Sequence, residues 1–484
     1  MVFQLIDWIV IFAYICLIFF LAVKASRDTH SKTTTDAAQI AREQYLANKS
    51  LTFTESISSI IATEVSALTF LGIPAFAFNT DFSFVQIYMG AIIGRLVIAR
   101  IFLPKLYDKG LTVYEVMAKD TGLPSGQKLV SIFYALSKIL AVGVRLFSGS
   151  ILVAHFFQLN IYVGLAIITF MTFIYTLIGG LKAVVRTDIL QMGLFICGGI
   201  TAHIMIPETA GQSWTDMMTL AHEAGKTSFV DFSQPLPFIL GILGGILFDM
   251  ATHGVDQDFV QRLTANRKME HAQWAIFLSS FVSISVGFLF LGVGALLWSF
   301  YQVHPFPATV ENADHIFAHY IVTYFPAGLR GFMVAGVLAA TMSTLDSTIN
   351  ALSSCVYNDI FPNRKPENIK FFCFIDTVVI TFLLFAIAVI ASKNDGLLLL
   401  GLKVQSWTAG SLLAVFMTKI VLKKWFNYAL SPISVAGAYA FGTLGVYINT
   451  QWLQWNWNLN VYFGFILACL FLKAYSAVRP YQKA

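Results

Sequence analysis

Charge is scarce in this sequence. Only 12% of its 484 residues are Asp, Glu, Lys or Arg, against roughly 25% in an ordinary soluble domain. The longest polar stretch, 26–50, is too short to be a soluble domain. Cysteine is sparse as well. Cys16, Cys197, Cys355, Cys373 and Cys469 all lie in apolar segments with no CxxC or Cys/His cluster, so neither a disulfide framework nor a zinc site is implied. The nine histidines show no metal-ligand spacing. Lys and Arg form no long tract, and a net charge of +5 spread in this way does not point to nucleic acid.

Apolar sequence is what the chain has in abundance, at 57% of residues. That share predicts an all-α polytopic membrane protein, since each bilayer crossing takes about 20 apolar residues. Thirteen runs can be read: 3–24, 52–78, 82–104, 128–157, 160–180, 187–207, 235–260, 271–301, 327–357, 371–392, 396–421, 428–448 and 459–478. Numbering the first as span zero makes the others spans one to twelve. No Lys or Arg precedes the run 5–23, whereas Lys24 and Arg27 follow it. This is not a signal-peptide pattern, and it places the N-terminus outside and the C-terminus in the cytoplasm of a cell-membrane protein. With that orientation 24 of the 31 basic residues fall on the cytoplasmic side. Only Lys226, Arg330 and Lys393 fall opposite, and Arg95, Lys138, Arg145 and Lys403 lie inside spans.

Two spans read as broken. Span one holds Glu64, Ser66 and Thr69, then Gly72 and Pro74; span six holds Gly241, Gly244 and Gly245, then Asp249, Thr252, His253 and Gly254. Polar groups and helix breakers at membrane depth are tolerated where backbone lines a site. Five spans separate the two, as inverted repeats of spans one to five and six to ten require. Ordinary proline and glycine kinks are the alternative. In span eight, Ala340, Ser343, Thr344 and Ser347 follow i, i+3, i+4, i+7 on one helix face, with Asp346 at its edge. Such a stripe faces protein, water or a cation, or it packs small residues between helices.

Several stretches resemble the solute:sodium symporter family. They are Tyr175-Thr-Leu-Ile-Gly-Gly-Leu-Lys-Ala-Val-Val-Arg-Thr-Asp188, Asp256-Gln-Asp-Phe-Val-Gln-Arg262, the stretch 58–72 and the segment from Ala339 to Ser347. Similarity extends from about Asp7 to Leu422. It implies a LeuT-type core of 5+5 inverted repeats with broken first and sixth helices. One membrane domain would fill 1–484: an added helix at 3–24, the ten-helix core at 52–421 and two peripheral helices at 428–484. The resemblance also implies a first Na⁺ site made of the carbonyls of Ala62, Val65 and Ala340 and the side-chain oxygens of Ser343 and Thr344. A second site, present in some members, would use Asp188, Ser343, Asp346 and Ser347. Asp346 departs from the serine usual there, and an extra carboxylate either strengthens cation binding, pairs with a lysine or takes a proton.

For the solute, the resemblance points to Ser66, Thr69, Gln86, Arg145, Asp249 and Thr252. Arg145 lies well inside span three, where an unpaired arginine is costly. It either clamps a substrate carboxylate or pairs with Glu64 or Asp249. Lys138, seven residues earlier, points to the cytoplasmic vestibule. Sugar-carrying relatives have a tyrosine where Thr252 stands, a lysine where Ser283 stands and an asparagine where Asp249 stands. The expected function is therefore Na⁺-coupled symport, by alternating access, of a small anionic or zwitterionic organic solute. A sugar transporter or a membrane sensor on the same bundle remain as alternatives. An enzyme is disfavoured, because His253, Asp256 and Asp258 have no matched nucleophile. The partners are the solute, sodium and the bilayer, with no nucleic acid.

Overall fold

The computed structural model describes residues 3–29, 43–119, 123–230, 235–306, 315–362, 369–392 and 397–481. Lys393, most of the polar stretch 26–50 and most of the basic segment 364–370 lie outside the described residues. The principal helices are α1 (Leu5–Thr29), α2 (Phe53–Glu64), α3 (Ala67–Asn79), α4 (Val85–Val97), α5 (Val113–Lys119), α6 (Pro124–Phe157), α7 (Ile161–Ala210), α8 (Trp214–Glu223) and α9 (Pro235–Gly254). They are followed by α10 (Gln257–Thr264), α11 (Met269–Val303), α12 (Ile316–Tyr324), α13 (Leu329–Cys355), α14 (Ile369–Ala391), α15 (Leu397–Phe416), α16 (Pro432–Ile448) and α17 (Asn460–Val478).

Among the described residues, nine helices are long and apolar enough to cross a membrane, ten when α2 and α3, bent by 56°, count as one. The chain is a multi-pass membrane protein. Nine or ten is fewer than the thirteen apolar runs of the sequence, for identifiable reasons. The helix Ile161–Leu177 and α16, with 17 residues, are short against the roughly 20 residues of a full span. Ile161–Leu177 is the first part of α7, which continues across a kink at Gly180, where φ is 56°, into a counted span; α15, with 20 residues in the run 396–421, is not among the nine.

The hydroxyl-bearing helix α13 sits at the centre. Within its most apolar window 94% of residues are buried, while no other candidate span exceeds 56%. The stripe therefore faces protein and not lipid. Helix α1 is pinned to the start of α13 by buried Asp7, which accepts hydrogen bonds from Gly328 N (2.8 Å), Gly331 N (2.9 Å) and Arg330 Nη2 (3.1 Å).

Span six, 235–260, is interrupted near its end and not at its glycines. α9 runs unbroken from Pro235 to Gly254, and the chain turns only at Val255 and Asp256 before α10. Its glycines serve close approach. A Cβ at Gly241 would collide with the Gln86 side chain, at Gly244 with the Asn458 side chain, and at Gly245 with the Ile87 carbonyl. On the facing helix, Gly90 and Gly94 are four residues apart and meet the α9 backbone at Ile246, a small-residue contact that lets two backbones touch. Gly245→Ala is accordingly expected to lower the melting temperature of the purified protein, by the equivalent of about 1–3 kcal/mol for overpacking. Gly193→Ala, where an added Cβ meets nothing within 4 Å, should be neutral or stabilising by up to about 1 kcal/mol. Equal losses in both would contradict the packing assignment.

Candidate functional site

The break between α2 and α3 is built from its own side chains. Thr52 and Glu55 form a capping box that starts α2. At the other end Val65 and Ser66 are extended, with ψ of 123° and 177°. Ser66 caps α3, and its N–H donates to Thr69 Oγ1 at 3.2 Å. Reciprocal capping of this kind satisfies backbone donors that the interruption would orphan.

α13 lies against this break. Ser343 Oγ is 3.2 Å from the Ala62 carbonyl, and Thr344 Oγ1 donates to the Ala340 carbonyl at 3.0 Å. Ala62, Val65, Ala340, Ser343 and Thr344 are all buried. Of the first set of expected ligands, Ser343 and Ala62 are thus brought together across the two helices; hydroxyl and carbonyl oxygens are donors suited to a hard cation.

The second set converges beside it. Asp188 Oδ1 accepts from Ser343 Oγ at 2.5 Å, so Ser343 touches both groups. Asp188 Oδ2 accepts from Ser59 Oγ at 2.5 Å. Asp346 accepts from Ser347 at 3.2 Å and from the Tyr175 hydroxyl. Arg262, part of the Asp256–Arg262 motif but given no role by the sequence, also enters this cluster. It donates to Ser59 Oγ (2.8 Å), Asp258 Oδ1 (2.6 Å) and Ser347 Oγ, and it lies 3.7 Å from Asp188. Three carboxylates thus surround one guanidinium.

A cavity of about 90 Å³ lies beside the break. Ser66, Thr69, Arg145, Asp249 and Thr252 line it, as the sequence reading expected. Gln86 does not: its Nε2 donates to the Phe229 carbonyl at 2.8 Å, and its chain packs over Gly241. The expected ion pair exists, but with a different arginine. Arg95, fully buried on α4, donates to Glu64 Oε2 (2.8 Å), Asp249 Oδ1 (3.2 Å), Ser279 Oγ (2.8 Å) and Ser283 Oγ (3.1 Å). Its Nη2 is also 3.2 Å from His253 Nε2. A guanidinium only donates, so Nε2 accepts, and the imidazole proton sits on Nδ1, 3.0 Å from Asp249 Oδ1.

Arg145 is left for the cavity. Its Nη2 donates to Gln405 Oε1 at 2.8 Å, and among the described residues its buried Nε has no hydrogen-bond partner. Asp249 Oδ2 is likewise buried without one. Lys138 stands apart, held by Asp256 (2.8 Å) and Asp258 (3.1 Å) of the α9–α10 turn. A second, smaller cavity lies there, bounded by Lys138 and Asp256 and sharing Thr252 and Gln405 with the first.

The sequence pattern of the Sodium:solute symporter family matches residues 44–429. A sodium-coupled monocarboxylate transporter 2 of Mus musculus is 25% identical over 419 residues, 83% of this chain and 65% of that protein. The sodium/sialic acid symporter SiaT of Proteus mirabilis is 27% identical over 316 residues, 63% of this chain and 62% of that protein. The chain therefore spans just under two thirds of the length of these relatives. In three dimensions it is similar to a Na⁺-coupled sialic acid symporter solved in a substrate-bound outward-open state. That match has a TM-score of 0.86 at 21% identity and covers 99% of this chain and 100% of the other. Mhp1, a nucleobase-cation-symport-1 family transporter, follows with a TM-score of 0.59 at 14% identity, covering 91% and 96%. The fold is the LeuT-type inverted-repeat helical bundle.

Proposed function

Because this chain belongs to the sodium:solute symporter family, a family of transporters and not of enzymes, we propose that it carries a small organic anion across the cell membrane by Na⁺-coupled symport. Arg145 is the observation that carries the reading. It is a cation lining the cavity, and the carboxylates expected to neutralise it, Glu64 and Asp249, belong to Arg95. An organic carboxylate supplies the acceptor for Arg145. A zwitterion adds a donor for Asp249, and Ser66, Thr69 and Thr252 supply neutral polar contacts.

Na⁺ binds at Ala62, Val65, Ala340, Ser343 and Thr344. Asp188, Asp346, Ser343 and Ser347 form a second cation site, in which Arg262 offsets only part of the negative charge. External Na⁺ holds α13 against the α2–α3 break and so stabilises the state that binds solute. Coupling follows if ion and solute prefer the same conformation. The gradient drives the cycle, at about 2.3 kcal/mol per charge for each 100 mV. The N-terminus lies outside and thirteen spans cross the bilayer. Residues 3–24 and 428–484 flank the transport core at 52–421.

Uptake into proteoliposomes of short carboxylates, amino acids and neutral sugars, with Na⁺ or K⁺ outside, tests this. Na⁺-dependent uptake of an anion is expected. Arg145→Gln should abolish it and leave the Na⁺-induced thermal shift of the purified protein intact. Uptake indifferent to sodium, or a neutral solute carried equally by Arg145→Gln, would contradict the proposal.

A further inference from the structure

Trp457 lies outside the family match at 44–429, yet it lines the central cavity with Arg145, Asp249 and Thr252. It sits in a single helical turn, Trp457–Leu459, between α16 and α17. The same residue also lines a third cavity, bounded by Lys403, Trp407, Tyr447 and Trp455.

The turn that carries Trp457 is held against α9. Asn458, 1% exposed, is seated over Gly244, where any Cβ would collide with it, and its Nδ2 lies 3.5 Å from the Gly241 carbonyl. Tyr462 donates to the Leu243 carbonyl at 2.7 Å. The Trp457 ring meets Phe248 edge to face at 5.7 Å, one residue before Asp249.

We propose that Trp457 contacts the solute and sets its specificity, forming the apolar wall that receives the body of an organic anion whose carboxylate is held by Arg145. The proposal rests on the central cavity being the solute site. The indole adds a large rigid apolar face at little cost in side-chain entropy, and Phe248, Leu402 and Ile87 continue that surface. Solutes with an apolar body behind the carboxylate gain from the wall, and the shortest carboxylates do not reach it.

The test is uptake by Trp457→Ala and Trp457→Phe across carboxylates of increasing length, paired with alkylation of Trp457→Cys in detergent. Truncation to Ala is expected to raise KM for long-bodied carboxylates by about tenfold or more, as loss of a buried aromatic anchor does. KM for the shortest carboxylates, the Na⁺ concentration for half-maximal uptake and kcat should change little, and Trp457→Phe should restore most of the preference. Solute with Na⁺ should slow alkylation of Trp457→Cys beyond the native-cysteine background, and adding Arg145→Gln should remove that protection. Equal loss for all lengths, or alkylation indifferent to solute in a protein that still transports, overturns the Trp457 role alone. If the unsubstituted protein transports no anion, the cavity reading fails first and this inference fails with it.

Discussion

Arg95→Ala is expected to abolish Na⁺-driven uptake and to leave a protein that melts far earlier than the original. Arg95 is fully buried and is the shared partner of Glu64 and Asp249. Removing it strands two carboxylates inside the bundle, and breaking one buried pair costs about 3–5 kcal/mol. Two such losses approach the roughly 5–15 kcal/mol that holds a folded domain together. Arg95→Lys should fail almost as badly, because a single ammonium cannot reproduce five directed hydrogen bonds. The informative variant is the triple Arg95→Met, Glu64→Gln, Asp249→Asn, which removes the charges together. Recovery of melting temperature without recovery of uptake would show that the cluster positions the cavity as well as neutralising it. A single Arg95→Ala that melts normally would refute its structural role.

Thr344→Ala and Ser343→Ala are expected to separate the two cation groups. Thr344 faces only the first ligand set, whereas Ser343 touches both the Ala62 carbonyl and Asp188. Losing one hydroxyl contact to a charged group costs about 1.5–3 kcal/mol, or roughly ten- to a hundredfold in ion affinity. Thr344→Ala should therefore raise the sodium concentration for half-maximal uptake by about that factor. Ser343→Ala should do at least as much and also lower stability, by taking a donor from buried Asp188. Ser347→Ala and Asp346→Ser report on the second group. They should change the steepness of the sodium response more than its midpoint. If Ser347→Ala moves the midpoint as far as Thr344→Ala, the division into a first and a second site is wrong.

Much of this arrangement was legible in the chain. The hydroxyl stripe of α13 and the polar interruption at Glu64–Thr69 are local patterns, and each lies on an element whose period or capping chemistry displays it. Pairings between distant helices were not visible in the same way. Sequence alone could place Arg145 and Arg95 inside spans but could not say which met Glu64 and Asp249, 31 and 154 residues from Arg95. A signal did exist: Gly90 and Gly94 directly precede Arg95 and mark the face of α4 that touches α9. Read that way, Gly241, Gly244 and Gly245 become contact surfaces and not breaks. Arg262 was in view inside its motif, spaced i, i+4 from Asp258, but its reach to Ser59, Ser347 and Asp188 needs the packing of α10 under α2 and α13. Trp457 had no sequence signal at all, because the cavity it closes is formed by helices far earlier in the chain.

Sodium and an organic anion are expected to bind this protein cooperatively. The most direct measurement is calorimetric titration of a transported carboxylate into purified protein in Na⁺ and, separately, in K⁺ at equal ionic strength. Affinity in Na⁺ should exceed that in K⁺ by about five- to a hundredfold, the usual range of coupling between two sites. Sodium affinity should rise by the same factor with carboxylate present, and Thr344→Ala should erase the difference. Equal carboxylate affinity in Na⁺ and K⁺ would contradict coupling through the α2–α3 break and α13.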